Sequence, residues 1–393
     1  NKWGYFPSGS LAWRISEENI LKDSPVVTDL KLRVSYGITG NQGISPYGSL
    51  ARLGSGEWYR YPYNNGQNLD LGFGISDIAN PELKWETTTQ SDIGVDVSLF
   101  QGRLTSTIDL YRKVTDDLLM PRQLPDYVGV GSVIANIGSI ENKGLEILIG
   151  GDPIIGNFRW NTSFNITFNR NKVLDLGPGT TRIGYTPSTG GYSLGDNYMF
   201  LEVGQPFGLM KGWQFLGFWG ADEDAEARSY GQLPGYPKYA DLTGKDGVPD
   251  GRIDNLDKTT IGNGYPKFTW GFTNMFTYKG AELSFLLMGS HGNDLFNTLR
   301  IRRETYEATD PKVWDYWTEN NQDAQVRALY DGAWVESQKL VSKYFTKGFQ
   351  TTSQWVEDAS FVRLKTITLA YNFEQTLLNK IGFTKAGVYV SGT

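Results

Sequence analysis

The chain has 393 residues, among them 47 glycines, 12 tryptophans and 22 tyrosines, with no cysteine, a single histidine (His291) and a formal charge of −6. The missing cysteines exclude a disulfide scaffold and any thiolate metal or redox site, and one histidine leaves no room for His-based zinc or triad chemistry. The acidic balance argues against a nucleic-acid partner, and no run of about 18 apolar residues marks a membrane-spanning helix.

In chain order, the first clear element is "LKLRVSYGI", which puts Leu30, Leu32, Val34, Tyr36 and Ile38 on one face and Lys31, Arg33 and Ser35 on the other. The same period of two, the signature of a strand with unlike faces, runs through Ile93, Val95, Val97 and Leu99 against Asp92, Asp96 and Ser98. It continues in "RLTSTIDLYRKV", then in "FRWNTSFNITFNR", where Phe158, Trp160, Phe164, Ile166 and Phe168 oppose Arg159, Asn161, Ser163, Asn165 and Asn169. "PKFTWGFTNMFTY" aligns Phe268, Trp270, Phe272, Phe276 and Tyr278. Twelve candidate strands result, at 5–15, 30–38, 85–99, 104–116, 143–150, 158–170, 197–203, 208–219, 267–278, 281–290, 359–373 and 385–393.

The connections alternate between short and long. Phe100 to Arg103, 151–157, Gly204 to Phe207 and Lys279-Gly280 are short, whereas 39–84, 117–142, 171–196, 220–266 and 291–358 are long. Short turns at one end, long loops at the other and outward-apolar strands of about ten residues are the habit of an outer-membrane barrel. In lipid all backbone groups must pair internally, so such strands close into a sheet. The expectation is an all-β, antiparallel transmembrane β-barrel of about twelve strands, with the aromatic stripe toward outer-membrane lipids and Arg159, Asn161 and Asn165 toward a wet lumen. A soluble or surface-attached β-rich carbohydrate-binding protein has the same periodicity and is the competing reading.

Several phrases resemble the SusC/RagA family of TonB-dependent outer-membrane transporters: "FPSGSLAWRIS" (6–16), "LKLRVSYGITGNQ" (30–42), "NPELKWETTTQSDIGVDVSLF" (80–100), "NIGSIENKGLEI" (136–147) and "VEDASFVRLKTITLAYNF" (356–373). The resemblance implies a larger plugged barrel of the 22-stranded class, with residues 1–393 forming part of its carboxy-terminal portion and the plug and closing strands lying elsewhere. It further implies import of glycan or peptide oligomers, energy from TonB through the amino-terminal part, and a SusD-like surface lipoprotein as partner. No catalytic residue and no required cofactor is expected.

"DGVPDGRIDNLD" (246–257) is similar to an EF-hand-type loop, with Asp246, Asp250, Asp254 and Asp257 as candidate ligands for a structural calcium ion and Gly251 at the sharp turn. Val248 stands where a ligand is usual, and Asp241 or Thr243 could fill that gap. The plainer reading is a solvated acidic loop rich in turn formers. In "PKVWDYWTENNQ", Trp314, Tyr316 and Trp317 offer flat apolar rings for sugars, or packing for the loop itself. Asp116 and Asp117 are neighbours on a strand end and point apart, unlike a hydrolytic carboxylate pair.

Overall fold

The computed structural model describes residues 3–44, 46–63, 68–185, 197–243, 248–301, 315–324, 351–380 and 382–393. Ten strands join in chain order into one sheet: β1 (Ser8–Arg14), β2 (Val27–Asn41), β3 (Glu86–Leu99), β4 (Leu104–Asp116), β5 (Ser139–Ile154), β6 (Phe158–Asp175), β7 (Phe268–Tyr278), β8 (Ala281–His291), β9 (Phe361–Asn372) and β10 (Gly387–Gly392). Each strand is hydrogen-bonded to the next, so the sheet is an uninterrupted meander with β1 and β10 at its edges. Of the twelve expected strands, ten lie in this sheet.

The turns follow from local backbone chemistry. Lys279 and Gly280 adopt φ of 46° and 82°, the pair of positive values that a two-residue turn matched to strand twist demands. At the β3–β4 turn, Phe100, Gln101 and Gly102 all have positive φ.

Register assigns every side chain of the wall to a face. One row across the sheet reads Leu32, Val95, Ile108, Ile147, Ile166 and Trp270 on β2 to β7. The adjacent row reads Arg33, Gly94, Asp109, Glu146, Thr167 and Thr269. From β2 to β7 the sheet is therefore apolar on one side and polar on the other in these rows. None of the apolar stripe enters a buried core: Val34 and Tyr36 remain 46% and 55% exposed, and Trp160, Phe164 and Phe272 are half-buried only. Their cover comes from neighbours on the same face, since Trp160 and Phe158 each stack on Phe276 at about 6 Å and Phe164 meets Phe272 edge-on. No second sheet lies over this stripe among the described residues.

The chain divides into two compact units. The first holds the wall, together with two hairpins inside long connections, Arg52–Tyr63 with Asn68–Asp77 and Leu119–Gln123 with Ser132–Asn136. Both connections are expected as loops from sequence; glycines interrupt the alternation in the first hairpin, and the strands of the second are only five residues long.

The second unit spans Arg182–Phe268 and Gly289–Val362. It contains the two expected strands that are not in the wall. Residues 197–203 and 208–219 fold as Met199–Glu202, Leu209–Gly212 and Phe215–Phe218, of which the first two sit in a four-stranded sheet with Arg182–Tyr185 and Thr259–Asn263. Four residues are too few to cross hydrocarbon, which needs about 9–11 in a strand. The span from β6 to β7 is thus one long connection, and the alternation of short and long links holds for the ten wall strands. Among the described residues, this unit holds the buried apolar clusters. One gathers Tyr198, Met210, Phe296, Ile301 and Trp355, and another Trp219, Ala227 and Tyr236. The acidic segment 221–228 contributes the short helix Asp224–Ser229, whose Ala227 is fully buried in that second cluster.

Candidate functional site: the two faces of the wall

The polar face is built as a braced charge network. Arg33 on β2 donates from Nε and Nη2 to both carboxylate oxygens of Asp96 on β3, at 2.8 and 3.1 Å, and from Nη2 to Asp109 Oδ1 on β4 at 2.9 Å. Lys31 Nζ lies 3.2 Å from Asp96, and Thr107 Oγ1 donates to the same carboxylate at 3.1 Å. The reach across two strands is opened by Gly94, which stands between Arg33 and Asp109 in register. A Cβ there would be 2.7 Å from Arg33 Nη2 and would overlap Asp109 Oδ1. The device recurs two strands on. Tyr111 on β4 passes over Gly144 on β5 and donates to Asn169 Oδ1 on β6 at 3.3 Å, and a Cβ on Gly144 would come 2.6 Å from the phenol oxygen.

Of the residues expected on this face, Asn161 donates to Asp152 Oδ1 at 3.2 Å, Asn165 lies across from Gly271, and Arg159 shares their parity. Sequence reasoning did not single out Arg33, Asp96 and Asp109 as a group. The available signal was charge of both signs at the polar positions of three successive strands.

Within the apolar face the Asn274 side chain is almost wholly buried, 2% exposed. Its Oδ1 accepts from Trp160 Nε1 at 2.9 Å and from Thr162 Oγ1 at 3.0 Å. Toward the short-turn end this face is aromatic, with Phe158, Trp160, Phe276 and Tyr278 together, and Lys279 Nζ 5.3 Å from the Tyr278 ring centre.

In the second unit the acidic loop is bound to its own backbone. Asp246 lies outside the described residues. Asp257, 1% exposed, accepts from the Leu242 and Thr243 N–H groups with Oδ1 (2.8 and 3.0 Å) and from Asp254 N–H with Oδ2 (2.8 Å). Asp254 accepts from Leu256 N–H at 2.6 Å, closing a reciprocal cap around the single turn Asn255–Asp257. Asp250 accepts from Arg252 N–H, and Asp241 from Gly251 N–H at 2.8 Å and the Tyr230 hydroxyl at 3.2 Å. Among the described residues no three acidic or histidine side chains gather as a metal would require.

Trp317 is buried against Ala324, Phe218 and Ala221, and Trp314 lies outside the described residues. Asp294 beside His291 accepts from Asn263 N–H at 2.8 Å. Glu223 accepts from Gly220 N–H at 2.9 Å and pairs with Lys238 Nζ at 2.6 Å. The Gly220 amide first, and the Lys238 ammonium next, hold its carboxyl below its ordinary value.

A ten-stranded wall, apolar and uncovered on one side, polar and ion-paired on the other, and aromatic at its short-turn end, defines a segment of a membrane β-barrel. The comparisons with known proteins agree. Residues 1–247 match the family model "TonB dependent receptor-like, beta-barrel", and the chain belongs to that family, whose barrels reside in the bacterial outer membrane. It is 36% identical to TonB-dependent receptor P3 of Formosa agariphila over 398 residues, covering 100% of this chain and 37% of that one. It is 31% identical to TonB-dependent receptor SusC of Bacteroides thetaiotaomicron over 393 residues, covering 95% of this chain and 34% of that one. The RagAB peptide transporter structure superposes with a TM-score of 0.77 at 24% identity, over 99% of this chain and 40% of that chain. The chain therefore spans between a third and two fifths of the length of the proteins it matches. The apolar stripe faces lipid and the charged face looks inward, and membership of an outer-membrane barrel family displaces the soluble carbohydrate-binding reading.

Proposed function

We propose that this chain is wall from a TonB-energised outer-membrane importer of nutrient oligomers, glycans or peptides, which works with a SusD-like surface lipoprotein. The observation that carries the reading is the inward network of Lys31, Arg33, Asp96 and Asp109. It lines the wall with fixed, mutually neutralising charge, which keeps a passage wet without a strong field of either sign. That suits bulky uncharged or zwitterionic solutes better than small ions, for which single-sign rings are the rule. The similarity to SusC and to the structure titled a peptide transporter supports the class of cargo. The work is passage and not covalent chemistry; in this reading TonB acts through a plug on the amino-terminal side of the barrel.

The test uses the full-length protein in its own cells, with uptake of labelled oligosaccharides and oligopeptides measured with and without TonB and the partner lipoprotein. Accumulation of one class that needs both is expected. Uptake indifferent to TonB, or hydrolysis of either panel by the purified barrel, would overturn the proposal.

A further inference from the structure

The lipid-facing stripe ends abruptly toward the long-loop end. Successive rows there read Val95, Ile108, Ile147 and Ile166, then Ile93, Leu110, Leu145 and Phe168. The next row is Ser91, Arg112, Lys143 and Arg170, with Tyr36 beside Ser91. One row further, Lys172 lies opposite Glu141. Four cations thus meet one carboxylate on the outward face of β4, β5 and β6.

Their arrangement is organised from below. The Glu141 side chain is only 11% exposed, and it holds Arg112 Nη2 at 2.6 Å and Lys143 Nζ at 3.9 Å. The two cations remain 62% and 63% exposed above it. A shallow hollow of about 750 Å³ connects the levels, its lower part lined by Val34, Ile93, Leu110, Leu145 and Phe168 and its upper part by Arg112, Lys143 and Arg170. A further acid on this face, Asp116 on β4, accepts from the Ser139 hydroxyl.

Hydrocarbon below and preorganised guanidinium and ammonium groups above fit an amphiphile whose headgroup carries phosphate. Arginine forks match phosphate oxygens, and basic pockets at membrane boundaries hold anionic headgroups. Long loops mark the external side of an outer-membrane barrel, so the row sits at the level of the outer leaflet. We infer that Arg112, Lys143 and Arg170 form a binding site for the phosphates of the outer-leaflet glycolipid, with its acyl chains laid along Leu110, Leu145 and Phe168. The inference rests on the membrane placement of the wall, not on which cargo the protein carries. The net charge of −6 does not oppose it, because headgroup binding follows local charge.

The test reconstitutes the full-length protein in neutral-lipid nanodiscs and measures binding of diphosphorylated lipid A and of its dephosphorylated counterpart. The protein should bind the phosphorylated lipid about tenfold tighter, equivalent to about 1.4 kcal/mol. The triple variant Arg112→Gln, Lys143→Gln, Arg170→Gln should lose that ratio, while Arg112→Lys with Arg170→Lys should keep most of it. Heat-modifiable migration on gels confirms that each variant is folded, and Lys143→Gln alone, expected to lower the ratio severalfold, serves if the triple variant does not fold. Equal binding of the two lipids by the unaltered protein, or an unchanged ratio in a folded neutralised variant, would overturn the site. No transport or TonB enters this readout, so its outcome is independent of the uptake experiment.

Discussion

Arg33 on β2 reaches Asp109 on β4 at 2.9 Å by passing over Gly94, the residue directly between them on β3. Three strands are thereby tied by one side chain, and the tie depends on a missing methyl group. Gly94→Ala should destabilise the barrel by about 1–3 kcal/mol, the usual range for overpacking. In an Asp109→Ala background the overlapped oxygen is gone, so the added cost of Gly94→Ala should shrink by half or more. Urea unfolding of the four proteins in detergent gives the coupling; fully additive effects would show that Gly94 does not serve this contact.

Neighbouring residues on β6 report the two faces. Ile166 lies in the lipid-facing row and Thr167 in the polar row opposite Glu146. Ile166→Arg should cost about 2–4 kcal/mol, the penalty for arginine on a lipid face near the bilayer midplane. Thr167→Arg, next to a carboxylate on the wet side, should cost under about 1 kcal/mol. Folding into liposomes at graded urea would decide, and equal penalties would contradict the assignment of faces.

Asp257 holds three backbone N–H groups while almost fully buried. Asp257→Ala strands all three, and a loss on the order of 3 kcal/mol in the local stability of residues 241–257 is expected. Hydrogen exchange of that segment measures it. Because the described carboxylates are engaged with the backbone, removing calcium with a chelator should leave the exchange pattern unchanged. Calcium-dependent protection that disappears with Asp246→Ala would instead restore the ion-ligand reading.

The Glu223 carboxyl, held low by the Gly220 amide and Lys238, makes its segment sensitive to acid. A group whose folded pKa is depressed contributes stability in full above its unfolded value and loses it as pH falls through the folded one. Protection around the helix Asp224–Ser229 should be level from neutral pH down to the ordinary glutamate value of 4.5 and decline below it. Its side chain is one-third exposed, so the effect is small. Glu223→Gln should flatten the profile; an unchanged acid response in that variant would assign the sensitivity elsewhere.

Strand alternation was legible from residues alone because it is a local property. "FRWNTSFNITFNR" alternates whatever lies beside it, and Phe158–Asp175 is a wall strand. The segments 197–203 and 208–219 also suggested strands, and strands form there, but Met199 pairs with Met210 and Leu209 with Asn263 in a separate sheet. Period cannot separate a short strand in a loop from a spanning strand, since length and partner make the difference. The acidic loop is ambiguous for a different reason. Carboxylates around a glycine turn look the same whether their lone pairs serve a cation or the loop's own N–H groups.

By itself, then, the sequence determined the strand periodicity, the sides that meet lipid and water, and most of the turns, because these depend on neighbours two to four residues away. Only the tertiary structure decided that ten strands form the wall, that Arg33 meets Asp109 from 76 residues away, and that Arg112, Lys143 and Arg170 fall into one row. Those are matters of register between strands distant in the chain, and register is set by the whole sheet at once.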